Sequence, residues 1–232
     1  MTDKKIVALC CPFMDRPTMP LLDSLERAIP VLQLHGWEDI FVQEQGCPYI
    51  SHARATLLRK ALDAGAETIV FLDYDVSFEP EDLLALIEAP DEVNAGTYRF
   101  KKDEEEYMAT IHTDAEGIAV VREDGLIYAD KVPAGFLKVT KSAVQKFMRH
   151  FPELMYGEPD HYSIDLFNHG AYKGVWYGED YAFSRRWNET GGKIWLLPNL
   201  NLTHNSSSKA FPGNFHEFLL AQPGGSKHEA AQ

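Results

Sequence analysis

Residues 69 to 78 read IVFLDYDVSF. The first four form an uninterrupted apolar run, the pattern of a strand buried on both faces of a parallel sheet. Asp73 and Asp75 follow at its carboxyl end, the edge of an open α/β sheet where ligands bind. Two carboxylates so close repel unless a proton or a cation sits between them, and oxygen donors of this kind suit Mg²⁺ or Mn²⁺. A solvated loop with two unrelated acids has the same spacing, so the buried strand before them carries more weight than the spacing.

Working outward, residues 5 to 10 (KIVALC) predict a buried strand, ended by Pro12 and a loop rich in Pro and Asp. Leu21, Leu22, Leu25 and Ile29 then have helical spacing, and Asp39 to Gln43 is a second short strand. Ser51 to Ala64 predicts a helix, with Ser51 as N-cap and Gly65 near its end. After the acidic triplet, Pro80 fits the first turn of another helix, followed by Leu83, Leu84, Leu86 and Ile87. Strands alternating with helices argue for a doubly wound α/β fold built on a mainly parallel sheet.

The second half is less regular. Val93 to Phe100, Ile118 to Arg122, Leu126 to Ala129 and Phe136 to Thr140 read as strands, with a helix from Lys141 to Arg149. Residues 152 to 180 lack periodicity and read as a long segment near a site. A helix from Tyr181 to Trp187, a strand from Ile194 to Leu197 and a short helix from Phe215 to Ala221 complete the pattern. Residues 1–221 are read as one domain, and 222–232 as a disordered tail.

Composition narrows the partners. The chain has 232 residues, with 22 Lys and Arg against 35 Asp and Glu and a net charge of −13. That balance disfavours non-specific attraction to nucleic acid or anionic membranes, and an anionic substrate would need placed cations or a divalent metal. Cys10, Cys11 and Cys47 form no CxxC pair and read as buried free thiols. The apolar run Ile6 to Cys10 is too short for a signal-peptide core or a membrane span, which makes a cytoplasmic protein the expectation.

Three further features bear on chemistry. Glu179 and Asp180 follow Val175-Trp176-Tyr177 and precede a helix. Such a pair caps a helix N-terminus, or, facing a cleft, supplies a carboxylate tuned by desolvation into a general base. His204 follows a strand of mixed character, Trp195 to Thr203, where a neutral imidazole can be a third metal ligand. Arg54, Arg59, Arg99, Lys101 and Lys102 are the cations nearest the strand ends that a diphosphate needs. Gly135 precedes a strand, where a backbone can approach a ligand closely or simply turn.

Taken in order, these stretches resemble glycosyltransferases of the GT-A fold, the nucleotide-diphospho-sugar transferase superfamily that includes family 2-like bacterial and phage enzymes. ISHARATLLRKAL resembles the arginine-bearing helix before the metal strand, VFLDYDVSFEP the DxD strand and turn, and EVNAGTYRFK the strand after it. VPAGFLKV is similar to the glycine-containing acceptor-side loop, WYGEDYAFSRRW to the xED motif and IWLLPNLNLTH to the closing strand with its histidine. The resemblance implies that Asp73, Tyr74 and Asp75 meet the donor, with Asp73, Asp75 and His204 on Mn²⁺ or Mg²⁺. Asp180 would be the base of an inverting hexosyltransferase and Glu179 its support. Pro12 to Asp15 and Arg54 would lie by the nucleotide of a UDP- or GDP-sugar, Gly135, in the acceptor-side loop, would also meet the nucleotide-sugar, and Lys209 would lie by the diphosphate. The acceptor would be a hydroxyl of a glycan or another molecule. In place of the glycine that relatives carry after the histidine, this chain has Asn205 to Ser208.

Two other readings use the same residues. An apolar strand followed by Asp-Tyr-Asp-Val-Ser also resembles the nucleophile motif of haloacid-dehalogenase-type phosphatases, with Asp73 attacking phosphorus. That motif normally opens its fold, whereas two strand-helix units precede it here. A domain that binds nucleotide or glycan without turnover is the other alternative.

Overall fold

Every residue of Thr68–Leu72 is buried, and this strand lies near the centre of an eight-stranded sheet. The computed structural model describes residues 5–158 and 161–222; positions 223–232 of the expected tail lie outside them. The first half runs β1 (Lys5–Phe13), α1 (Met19–Leu34), β2 (Trp37–Gln45), α2 (Ile50–Asp63), β3 (Thr68–Leu72), β4 (Val76–Ser77), α3 (Pro80–Glu88) and β5 (Val93–Ala95). Next come β6 (Thr110–Ile111), β7 (Ile127–Lys131), β8 (Phe136–Thr140), α4 (Lys141–His150), β9 (Met155–Glu158) and β10 (His161–Ile164). The chain continues through β11 (Gly170–Tyr172), β12 (Val175–Tyr177), α5 (Glu179–Glu189), β13 (Ile194–Leu196), β14 (Asn201–Asn205), β15 (Ala210–Asn214) and α6 (Phe215–Ala221).

The sheet order is β2-β1-β3-β8-β5-β13-β7-β6. β1, β2, β3, β5, β13 and β6 run one way, and β8 and β7 run against them, so the sheet is mixed with a mainly parallel sense. Alternation along the central strands feeds two cores. Ala8, Cys10, Ile69 and Phe71 face α2, α4 and α5 through Leu57, Phe147 and Trp187. Val7, Leu9, Val70 and Leu72 face α1 and α3 through Leu21, Leu25 and Leu86. Burial on both faces is why these strands read as unbroken apolar runs. Among the described residues, no helix is long and apolar enough to cross a membrane.

Several expected boundaries move for identifiable reasons. Tyr49, two residues earlier than Ser51, caps α2, because the helix starts just beyond Pro48 and Ser51 is buried inside it. Only Val93–Ala95 of the expected strand to Phe100 joins the sheet. Beyond it, Gly96 packs directly under Leu200, Leu202 and Phe136, and the chain turns to carry Tyr98 back toward Asp73. Ile118 to Arg122 forms isolated bridges only, with Ile118 and Val121 about half exposed, so no buried face holds a strand there. The stretch from Trp195 to Thr203 splits at Pro198 into β13 and β14, which belong to different sheets. Residues 152 to 180 contain two antiparallel pairs, β9 with β10 and β11 with β12, outside the main sheet.

A methyl group added at Gly96 would sit 2.8 Å from Leu202 and 2.9 Å from both Leu200 and Phe136. Gly96→Ala should therefore cost about 1–3 kcal/mol through overpacking. A lower urea midpoint at unchanged slope is the expected result.

Candidate functional site

The Asp73-Tyr74-Asp75 backbone is pinned from three directions. Asp73 N–H donates to the Gly135 carbonyl at 3.0 Å, just before β8. The Tyr74 carbonyl accepts from both the amide and the hydroxyl of Thr18, at 2.9 Å each, at the start of α1. The Asp75 carbonyl accepts from Asn205 N at 2.7 Å and Asn205 Nδ2 at 3.1 Å, from β14. The two side chains then go to different partners.

Asp73 is held at both oxygens. Its Oδ1 accepts from Arg54 Nη2 and its Oδ2 from the Tyr98 hydroxyl, each at 2.8 Å. The other arm of the guanidinium, Nη1, donates to Glu179 Oε1 at 2.8 Å. Arg54 is buried, with its Cζ 5.0 Å from the Phe167 ring centroid. Burial opposes its charge, but the Asp73 and Glu179 carboxylates outweigh burial and hold it above the ordinary arginine range. Burial, then the Asp73 charge, push the Tyr98 phenol well up, so it stays a donor. Gly135 closes this corner: a Cβ there would sit 2.2 Å from Asp73 Oδ2 and 2.3 Å from the Tyr98 hydroxyl. The close approach expected at Gly135 is thus made by the Asp73 side chain.

Asp75 has different neighbours. Its Oδ2 accepts from Lys101 Nζ, and its Oδ1 lies 3.6 Å from His204 Nε2. His204 Nδ1 is 2.8 Å from the Arg99 carbonyl, which can only accept, so Nδ1 carries the hydrogen. In the form that carries its hydrogen on Nδ1 alone, the ring turns an acceptor, Nε2, toward a carboxylate oxygen. Two acceptors facing each other call for a proton or a cation between them, and an oxygen-nitrogen pair suits a first-row divalent ion. Burial pushes the Asp75 carboxyl up, but its neighbours His204 and Lys101, the latter hydrogen-bonded to it, prevail and leave it below the usual range. Among the described residues, no group of three or more His, Cys, Asp and Glu is arranged to hold a metal. Asp75 and His204 come together, while Asp73, expected as the third ligand, is occupied by Arg54 and Tyr98.

Pro12, Arg54, Asp73, Tyr74, Asp75, Glu179 and His204 line one cavity of about 310 Å³. Cys47 lines it too, half-buried with Sγ 3.7 Å from His52 Nδ1, unlike the fully buried Cys10 and Cys11. Asp15 does not line it; it is exposed, and its carbonyl accepts from Gln45 Nε2 at 2.9 Å. Lys209 is exposed and paired with Asp103, and the lysine that reaches Asp75 is Lys101 instead. A larger cavity of about 770 Å³, bordered by Arg99, Glu105, Glu217 and Phe218, contains none of the acids above.

Gly178 caps α5, which puts Glu179 and Asp180 in its first turn. Glu179 turns to Arg54, and Asp180 Oδ1 accepts from the Tyr181 amide at 2.7 Å. Burial, and next the neighbouring Glu179 charge, raise the Asp180 carboxyl to about 6. The two acids thus sit in the first turn of a helix capped by Gly178, and Asp180, tuned upward, is not among the residues that line the cavity of about 310 Å³. Tyr98 was not singled out from the sequence; an aromatic three residues past the strand that follows the triplet was the available sign.

No protein-family model matches the sequence, and no curated protein matches it. Solved structures do resemble the fold. GalNAc-T7 with UDP, GalNAc and Mn²⁺ superposes with a TM-score of 0.50 at 11% identity, covering 88% of this chain and 44% of that one. The catalytic domain of Drosophila β1,4-galactosyltransferase 7 with xylobiose gives 0.47 at 15%, covering 83% and 64%. S. aureus TarS 1–349 gives 0.45 at 12%, covering 92% and 63%. The chain spans less than two thirds of each of these structures. Its fold is that of the nucleotide-diphospho-sugar transferases, a Rossmann-like GT-A arrangement.

Removing the guanidinium would leave two carboxylates facing each other. Asp73 and Glu179 retain 27% and 26% side-chain exposure. Arg54→Met should therefore lower the unfolding free energy by about 3 kcal/mol, the low end of the range for breaking a buried pair. Denaturant titration checks this, and a loss under about 1 kcal/mol would contradict the assigned role.

Proposed function

We propose that this chain is a divalent-metal-dependent glycosyltransferase that moves a sugar, of hexosyl class, from a UDP- or GDP-sugar to a hydroxyl of a glycan or another acceptor. The observation that carries the proposal is Asp75 Oδ1 lying 3.6 Å from His204 Nε2, with both residues lining a cavity of about 310 Å³. The fold supports it, and GalNAc-T7, which shares that fold, was solved with UDP, GalNAc and Mn²⁺.

Asp75 and His204 would hold Mn²⁺ or Mg²⁺, with water and the diphosphate supplying further oxygens. Bound there, the ion offsets the charge that grows on the leaving diphosphate. The remaining work belongs to the chain. Pro12, Tyr74 and Arg54 wall the nucleotide side of the cavity. Asp73, locked by Arg54 and Tyr98, borders the donor ribose and keeps the neighbouring peptide groups fixed. In the inverting reaction the acceptor oxygen attacks the anomeric carbon from the face opposite the diphosphate, and its proton passes to Asp180. The carbon–oxygen bond to the diphosphate breaks, and its electron pair leaves with the diphosphate. Glu179, through Arg54, sets the start of α5 and so the position of Asp180. The phosphatase alternative asks for a free Asp73 oxygen as nucleophile, whereas both oxygens accept hydrogen bonds.

Mn²⁺ together with a UDP- or GDP-sugar should raise the thermal midpoint more than either ligand alone, because ligands that bind the native state stabilise it. No metal-dependent shift with any donor would sink the proposal.

A base acts only when deprotonated. With the Asp180 carboxyl at about 6, kcat/KM should rise about tenfold per pH unit below that value and level above it. Asp180→Asn should lose about 10²–10⁴-fold in turnover while still binding donor. Unchanged turnover would remove Asp180 as base; absence of turnover from the wild-type chain across donors and acceptors would favour a non-catalytic binder.

A further inference from the structure

One short stretch touches both groups assigned to the metal. The Arg99 carbonyl fixes the His204 tautomer at Nδ1, 2.8 Å away, and Lys101, two residues on, donates its ammonium to Asp75 Oδ2. Asp75 keeps only 10% side-chain exposure, whereas Lys101 keeps 31%, so the cation sits on the solvent side of a buried acid. No other Lys or Arg contact to the Asp75 side chain is found among the described residues. A divalent ion binding between Asp75 and His204 must share that carboxylate with an existing positive charge or displace it. Two cations on one carboxylate repel strongly in a partly desolvated site.

Displacement leaves the ammonium next to the place where a metal-bound diphosphate would bring several negative oxygens. The side chain has the means to follow that charge: a long flexible stem, a compact head with three donors, and partial exposure. The loop it belongs to is anchored elsewhere, by Asp103 to Lys209 and by Arg99 to the Pro212 carbonyl, so a change of partner at Lys101 need not unfold it. Resting on the transferase reading above, we propose that Lys101 is a diphosphate-binding residue held in reserve on Asp75. The divalent ion displaces its ammonium, and the freed ammonium pairs with the donor diphosphate. Lys101 therefore opposes metal binding and favours nucleotide binding.

These opposite signs make the test. Mn²⁺ affinity is measured without nucleotide from the electron paramagnetic resonance of free Mn²⁺, and UDP affinity by calorimetry at saturating Mn²⁺. Lys101→Met should bind Mn²⁺ at least about fivefold tighter, and UDP at least about fivefold weaker, than wild type. Lys101→Arg, which keeps the charge, should stay within about twofold of wild type on both. Lys101→Gln serves the same test should Lys101→Met fail to give a cooperative thermal transition. Unchanged or weaker Mn²⁺ binding overturns the competition, and tighter Mn²⁺ with unchanged UDP overturns the transfer to diphosphate. Either result leaves the transferase reading standing if the wild-type chain binds Mn²⁺ and UDP. Wild-type protein that binds neither ligand overturns both.

Discussion

The arrangement depends first on one buried guanidinium. Arg54 is 3% exposed in a chain of net charge −13, and it bonds Asp73 and Glu179, which lie 19 and 125 residues away. A buried cation is tolerated only when paired, and close carboxylates only when something positive lies between them. The planar fork meets both requirements, and because its two arms have fixed directions it also fixes geometry. One arm holds the turn after β3; the other holds the first turn of α5. The first, strand-helix half of the chain and the irregular second half therefore meet at a buried ionic joint, and the side chain proposed as base lies one residue beyond it.

Around that joint, similar carboxyls acquire different characters. Asp75, although buried, is held below the usual range by its neighbours His204 and Lys101. Asp180, with no cation bonded to it among the described residues, is raised to about 6 by burial and by Glu179. Environments that separate like groups in this way are what a site needs when one acid must remain an anion and another must accept a proton near neutrality. The same field reaches Cys11, whose thiol is pushed to about 12 by burial and the charges of Asp73 and Asp75. That cysteine belongs to the packing of β1, as its sequence context implies.

Much of this was legible before any coordinates. The runs in β1 and β3, the helical spacing of α1 to α3 and the two acidic pairs are local patterns, and local periodicity reports burial directly. What escaped was set by distant partners. Nothing near Tyr98 announces that its hydroxyl will meet Asp73, 25 residues earlier. Lys101 and Lys209 are alike as residues, and only the loop around Asp103 decides which one stands beside Asp75. The short strands β9 to β12 are partly exposed and three or four residues long, too brief for alternation to mark them. Pro198 does mark the break between β13 and β14, as Pro48 marks the start of α2.

The acidic triplet shows why spacing alone is a weak guide. Two acids separated by one residue suggest two equivalent ligands, but Asp73 and Asp75 leave the same turn into different surroundings. Asp73 points to a corner where Gly135 leaves no room for a Cβ, and Tyr98 and Arg54 saturate its oxygens. The space behind Gly135 is thus filled by a carboxylate, and the demand for glycine comes from packing, since Gly135 has no positive φ. Asp75 faces the Nε2 of an imidazole whose Nδ1 is committed to the Arg99 carbonyl. One acid therefore stabilises the turn, and the other is left with an oxygen that lacks a fixed donor. In the proposed reading, binding chemistry falls to the second, because the oxygens of the first are already used to build the turn.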